Sequence, residues 1–181
     1  MNDLHRICAR LAMMVALATA ACRSDADVPS PDEYSHLVAF DTAGVRLITG
    51  SDTVSLTVEL ATTPDQHTMG LMERRALPDR AGMLFLYADV QPASSAFWMF
   101  RTRIPLDIAF IDSAGVIRTM LTMVPCTSVL ANGCPEYPAG APFISALEVN
   151  AGYFARHRIR VGDRLVMPDG DRRVHKTRPP T

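Results

Sequence analysis

Apolar residues alternate with polar ones along Val54, Leu56, Val58 and Leu60, with Ser55, Thr57 and Glu59 between them. A period of two marks a strand with one buried face, so residues 53–61 read as a half-exposed strand. Residues 45–48 read as its hairpin partner, the reversal falling on Thr49-Gly50-Ser51-Asp52, where glycine and small polar side chains ease the turn. The period then changes. Thr63-Pro64-Asp65-Gln66 has the form of a helix start, with Thr63 as N-cap, proline at the first helical position and Gln66 closing a capping box. The pattern predicts a helix running to about Arg75, with Met69, Leu71, Met72 and Ala76 as its apolar side. Gly70 inside it predicts close approach of another backbone, since glycine there otherwise costs about 1 kcal/mol against alanine.

Residues 83–87 are continuously apolar, which predicts a strand in the middle of the sheet, covered on both faces. After a polar bend over 88–95, a strand is predicted over 97–100. Pro105 has no amide hydrogen and so breaks any ladder continuing through 101–105. Residues 106–111 and 116–124 flank Asp112-Ser113-Ala114-Gly115 and form the clearest hairpin. Residues 125–142 read as a long irregular loop of the kind that is functional or stapled. A strand over 143–149, a short helix from Asn150 or Ala151 to about Arg156, a turn at Val161-Gly162-Asp163 and a strand over 164–167 complete the chain. The pattern is thus mostly β, in an α+β arrangement with one or two short helices.

The ends differ from this middle. His5, Arg6 and Arg10 precede an uncharged run of 11 residues, Leu11 to Ala21, which is short of the roughly 20 needed to cross a bilayer as a helix. Residues 1–22 therefore read as an export signal. The end of the run, Ala18-Thr19-Ala20-Ala21-Cys22, admits lipidation at Cys22 or ordinary A-x-A cleavage. The lipoprotein route is favoured, although Thr19 stands where such boxes usually carry Leu or Val. Residues 23–35 read as a solvated tether, 36–168 as one globular domain and 169–181 as a frayed basic tail. The expected location is the periplasmic side of a membrane or the outer membrane, or the soluble periplasm if the signal is simply cleaved.

Composition narrows the picture only in places. A chain of 181 residues, 48% hydrophobic and 20% charged, suits a single domain with a sizeable core. The formal net charge of -1 gives no pull toward nucleic acid, and no nucleic-acid partner is expected. Of the 18 basic residues only Lys176 is lysine. With Cys8 leaving in the signal and Cys22 taken by lipid, the exported domain keeps one pair, Cys126 and Cys134, expected as a disulfide. Closing so short a loop stabilises by about 2.5 kcal/mol on the chain-entropy account.

Candidate chemistry gathers around the only tryptophan. Trp98, Arg101, Arg103 and Asp107 lie within ten positions in apolar surroundings, and polar groups in such a stretch must find partners or face a cleft. An arginine fork suits a carboxylate or phosphate and an indole wall suits the apolar part of the same ligand, so a small anionic ligand is expected there, with Trp98, Arg101, Arg103, Asp107 and Glu148 as its binding residues. The bland alternative pairs Asp107 with an arginine as scaffold. Glu148, with Glu59 and Asp107, is the candidate acid set for general acid and base work. Met69, Met72, Met83 and Met99 raise a copper(I) site, but they fall in periodic apolar segments and are expected to pack as core. His67, His157 and His175 are isolated, and no G-x-S-x-G motif occurs. No metal or cofactor is expected.

Gly70-Leu71-Met72, Leu77-Pro78, Gly82-Met83-Leu84-Phe85, Phe97-Trp98-Met99, Ile104-Pro105-Leu106-Asp107, Phe110-Ile111-Asp112, Leu147-Glu148-Val149-Asn150-Ala151-Gly152 and Val161-Gly162-Asp163 occur in this order. Together they resemble the domain of unknown function 192 family, also called uncharacterised protein family 0127, over roughly residues 54–167. The resemblance implies a compact, barrel-like, mostly β domain, frequently secreted, and no established reaction. Members often carry a basic residue and then asparagine after the Trp-Met pair, where this chain has Phe100 and Arg101. The residues therefore favour an envelope lipoprotein acting as a binding or accessory module. The alternative is a periplasmic hydrolase or lyase using carboxylates and arginine beside Trp98.

Overall fold

The computed structural model describes residues 38–167. The signal, Cys22, the tether and the basic tail lie outside the described residues. Nine strands form a curled, mixed half-barrel of seven strands and a separate two-stranded ribbon. The strands are β1 (Asp41–Ile48), β2 (Thr53–Ala61), β3 (Ala81–Gln91), β4 (Ala96–Trp98), β5 (Leu106–Ile111), β6 (Ile117–Met123), β7 (Glu136–Pro138), β8 (Phe143–Asn150) and β9 (Arg164–Val166). Among the described residues two short α-helices, α1 (Pro64–Met69) and α2 (Tyr153–Arg156), accompany them. The large sheet runs β6-β5-β8-β3-β2-β1-β9, with β4 and β7 forming the ribbon. Only the β2–β3 pair within the large sheet is parallel, because the connection through α1 crosses over one face of the sheet.

The alternation in β1 and β2 places Val45, Leu47, Val54, Leu56, Val58 and Leu60 inside the curl, where Leu84, Ile111, Leu147 and Val149 meet them. Strands β3, β5 and β8 are buried on both faces. Their second face carries Met83, Phe85, Ile108, Phe110 and Ala146. Phe97 of the ribbon packs edge-on to Phe85 and Phe110 at 5.0 and 5.5 Å between ring centres. The two edges of the sheet touch at one end, where Val116 bridges Arg164 and the Leu165 amide donates to the Gly115 carbonyl at 2.8 Å. A side chain at Gly115 would stand 2.7 Å from the Leu165 carbonyl and φ there is +79°, so this seam requires glycine.

Several expectations are corrected. The capping box at Thr63 and Gln66 is present, but α1 ends at Met69 rather than near Arg75. Gly70 (φ +48°) and Glu73 (φ +62°) leave the helical region. What approaches Gly70 is the ring of Phe85, 3.4 Å from where a Cβ would lie, and not another backbone. The strand expected over 97–100 is Ala96–Trp98, and Glu136–Pro138 of the supposedly irregular loop is its partner. Asn150 ends β8 instead of opening a helix, its side-chain amide donating to the Leu77 carbonyl at 2.9 Å. Cys126 and Cys134 are bonded, with 5.6 Å between their Cα atoms, as expected. No helix among the described residues is long and apolar enough to cross a membrane.

Candidate functional site

Because side chains alternate along β8, Glu148 shares the second face with Ala146, while Leu147 and Val149 point into the curl. Its neighbours across the ladder are Met83 of β3 and Ile108 of β5. Over that position α1 and the β4–β7 ribbon leave a cavity of about 100 Å³, walled by the rings of His67, Phe85, Tyr87, Phe97 and Trp98 with Glu148 on its lining. Glu148 is 4% exposed, and no hydrogen bond from a described residue reaches its carboxylate. Burial pushes its pKa up to about 8. Tyr87 is pushed up to about 12, first by burial and then by the charge of Glu148.

The wall opposite is rigidly held. His67 Nε2 lies 3.0 Å from the Ala61 carbonyl and 3.1 Å from that of Leu86. Both neighbours are acceptors, so Nε2 carries a proton and donates, and the ring is pinned 4.5 Å from that of Tyr87. Thr68, Met69, Met72 and Trp98 line both this cavity and a second, apolar groove of about 560 Å³. The groove extends past Phe100 to Arg101. Trp98 is 43% exposed and stands between the two spaces. Cavity and groove adjoin at these four shared residues.

The other residues singled out from sequence go elsewhere. Arg101 Nε donates to Glu73 Oε1 at 2.7 Å and Arg103 Nε to Glu73 Oε2 at 2.6 Å. Burial alone would raise the Glu73 pKa, but the hydrogen bonds and charges of the two guanidiniums outweigh it and hold it below the usual carboxylate range. Glu73 and Arg101 both have positive φ, at 62° and 54°, and the Glu73 amide donates to the Arg101 carbonyl at 2.8 Å. Two left-handed non-glycine residues cost of order 1–3 kcal/mol each and persist where the surroundings over-determine them. Here the ion pairs and the backbone bond do so. Glu59 is taken by a two-point contact with Arg74.

Asp107 lies on the opposite face of the sheet from Glu148. It accepts from Thr122 Oγ1 at 2.7 Å and from the Phe154 amide at 3.3 Å, tying β5 to β6 and α2 without an arginine. The structure thus brings Trp98 together with Glu148 and with Arg101, pairs Arg103 with the same acid as Arg101, and sets Asp107 apart. Met83 and Met99 are fully buried core, whereas Met69 and Met72 line the groove. Among the described residues, no group of three His, Cys, Asp or Glu side chains is placed to hold a metal ion. His67, Tyr87 and Glu73 were not singled out from sequence as site residues. Tyr87 alone had a usable signal, since Met83, Phe85 and Tyr87 share one strand parity.

A half-barrel whose outer face is roofed by a helix and a ribbon, with a buried acid beneath aromatic rings, defines a small β-rich pocket protein. The chain belongs to the DUF192 family, described as uncharacterised ACR, whose model matches residues 46–167. It is similar to a candidate transcription regulator from Sinorhizobium meliloti 1021, with 40% identity, TM-score 0.63, and 72% of this chain and 96% of that one covered. It is also similar to a protein of unknown function from Novosphingobium aromaticivorans DSM 12444, with 32% identity, TM-score 0.60, and 69% and 84% covered. No curated protein matches the sequence.

Proposed function

We propose that this protein is a small-ligand binding module of the bacterial cell envelope, seating its ligand in the groove beside Trp98 and the cavity adjoining it. The observation that carries this is Glu148, a buried acid that accepts no hydrogen bond from a described residue and lines a cavity adjoining an apolar groove. A buried polar group is expected to be paired, and a ligand or water is what is left to pair it. Arg101 and Arg103 share the single carboxylate of Glu73, which offsets one of their two charges, and neither lines the cavity, so the ligand's polar end is assigned to Glu148 and not to an arginine fork.

Binding is favoured over catalysis because the acids and arginines do not converge. The cavity lining as described contains Glu148 but no second acid and no arginine, while Asp65, Glu73 and Arg101 line the separate groove. A hydrolase or lyase has one observation on its side, a carboxyl held near pH 8 as general acids often are. A regulator acting on nucleic acid, as named for the Sinorhizobium protein, would need a basic face. This chain has a net charge of -1, and Arg74, Arg101, Arg103 and Arg118 are each paired with a carboxylate.

Envelope placement rests on the signal and Cys22, outside the described residues, and is supported by the Cys126–Cys134 bond, which suits an oxidising compartment. The intact mass of protein purified from bacterial envelopes tests it. Lipid on an N-terminal Cys22 and no free thiol are expected, whereas an unprocessed chain with all four cysteines free would sink the placement. The binding role is tested by thermal-shift screening of a fragment library. At least one fragment should raise Tm, and Trp98→Ala should abolish that rise while changing the variant's own Tm little, since the indole is half-exposed. A rise that survives in the variant moves the binding surface elsewhere.

A further inference from the structure

We propose that the cavity over Glu148 takes the ammonium head of a small amphipathic amine, whose apolar chain lies along the groove past Trp98. The inference rests on the binding-module reading and specifies its ligand class. Four features of the site agree on it. Glu148 is 4% exposed and its carboxyl accepts from none of the described residues, and an ammonium supplies both hydrogen-bond donors and the opposite charge. Five aromatic residues, His67, Phe85, Tyr87, Phe97 and Trp98, are among those lining the cavity. Aromatic faces attract cations through the ring quadrupole, most strongly where water is excluded, and an anion would meet the same quadrupoles and the carboxylate as repulsion.

Size is the third feature. A dry cavity of about 150 Å³ accepts benzene, so one of about 100 Å³ admits a head of a few heavy atoms and excludes a ring with substituents. The groove is the fourth. It is over five times larger, is bordered by Met69, Met72 and Phe100, and shares Trp98 with the cavity. Thioethers and aromatic edges there can adapt to an alkyl chain. A carboxylate ligand would instead have to displace Glu73 from Arg101, where the acid is held on two sides.

The groups facing Glu148 set how this depends on pH. His67 comes from α1, Tyr87 from β3, Phe97 and Trp98 from β4 and Thr102 from the turn that follows, while β5 presents Ile108 alongside it. None of these is an arginine or a second carboxylate. With the Glu148 pKa near 8, binding a cation at lower pH requires the carboxyl to lose its proton. Affinity then falls about tenfold per pH unit below that value.

The test uses n-hexylammonium, with hexan-1-ol and hexanoate as matched neutral and anionic probes, read by the fluorescence of Trp98, the single tryptophan, and by Tm. At pH 8.5 hexylammonium should saturate at a concentration at least tenfold below that of hexan-1-ol, hexanoate should bind weakest, and Glu148→Gln should lose most of the preference. Between pH 8 and pH 7 the hexylammonium affinity of the unaltered protein should drop severalfold while that of hexan-1-ol stays level. If Glu148→Gln fails to fold, the probe ratio and this pH profile decide alone. Equal binding of hexan-1-ol and hexylammonium overturns the amine inference and leaves a binding module for neutral ligands. No response to hexylammonium also overturns it, and the fragment screen then decides the broader reading separately.

Discussion

Glu148→Gln is expected to flatten the pH dependence of stability between about pH 4.5 and pH 8, and to leave the variant more stable than the parent at pH 9. The Glu148 pKa rises from 4.5 to about 8 on folding because burial penalises its charged form. Between these two values the folded protein holds a proton that the unfolded chain has released. The stabilisation this represents is therefore fully present below about pH 4.5 and is lost as pH rises through about 8. At 1.36 kcal/mol per unit, the 3.5 units separating 4.5 from about 8 amount to about 5 kcal/mol. Water entering the cavity would solvate the carboxylate and reduce that figure, so it is an upper value. Glutamine has the same shape and no charge to lose. Chemical denaturation at pH 5 and pH 9 checks the effect. The two proteins should agree within about 1 kcal/mol at pH 5 and differ by several at pH 9, and equal slopes against pH would show that the carboxyl is solvated in the fold. A cation seated on Glu148 should narrow the difference at pH 9, which links this result to the amine probes.

Phe110→Ala is expected to cost about 4 kcal/mol, as removal of a fully buried aromatic ring does. Phe110 is 0% exposed and lies in T-shaped contact with Phe97 at 5.5 Å and Phe143 at 4.9 Å. These contacts add to the area term, and they also hold the ribbon that carries Phe97 and Trp98 over the cavity. The urea midpoint should therefore fall with little change in slope, and the response of Trp98 to any ligand should weaken although Phe110 is no part of the cavity lining. Phe110→Leu keeps most of the volume and should cost roughly half as much. A loss below about 1 kcal/mol for the alanine variant would mean that the ribbon is not anchored by this ring.

What the sequence by itself determined is what local chemistry decides. The period of two in β2, the capping box at Thr63, the hairpin turn at Asp112 to Gly115 and the pairing of Cys126 with Cys134 depend on residues at most nine positions apart. The ordered motifs that place the chain in its family are equally a matter of sequence. Tertiary structure alone decided the site. In β5 and β8 nearly every side chain is buried, so alternation could not show that Asp107 and Glu148 face opposite sides of the sheet. Arg101 and Arg103 find their acid 28 and 30 residues away, a pairing for which no local pattern exists. The helix starting at Pro64 is cut short by backbone turned left-handed at Gly70 and Glu73, where tertiary contacts outweigh a few tenths of a kcal/mol per residue of helix propensity. The cavity itself exists only because α1 and the β4–β7 ribbon, joined to the sheet by contacts distant in sequence, roof one carboxyl to which no described residue donates.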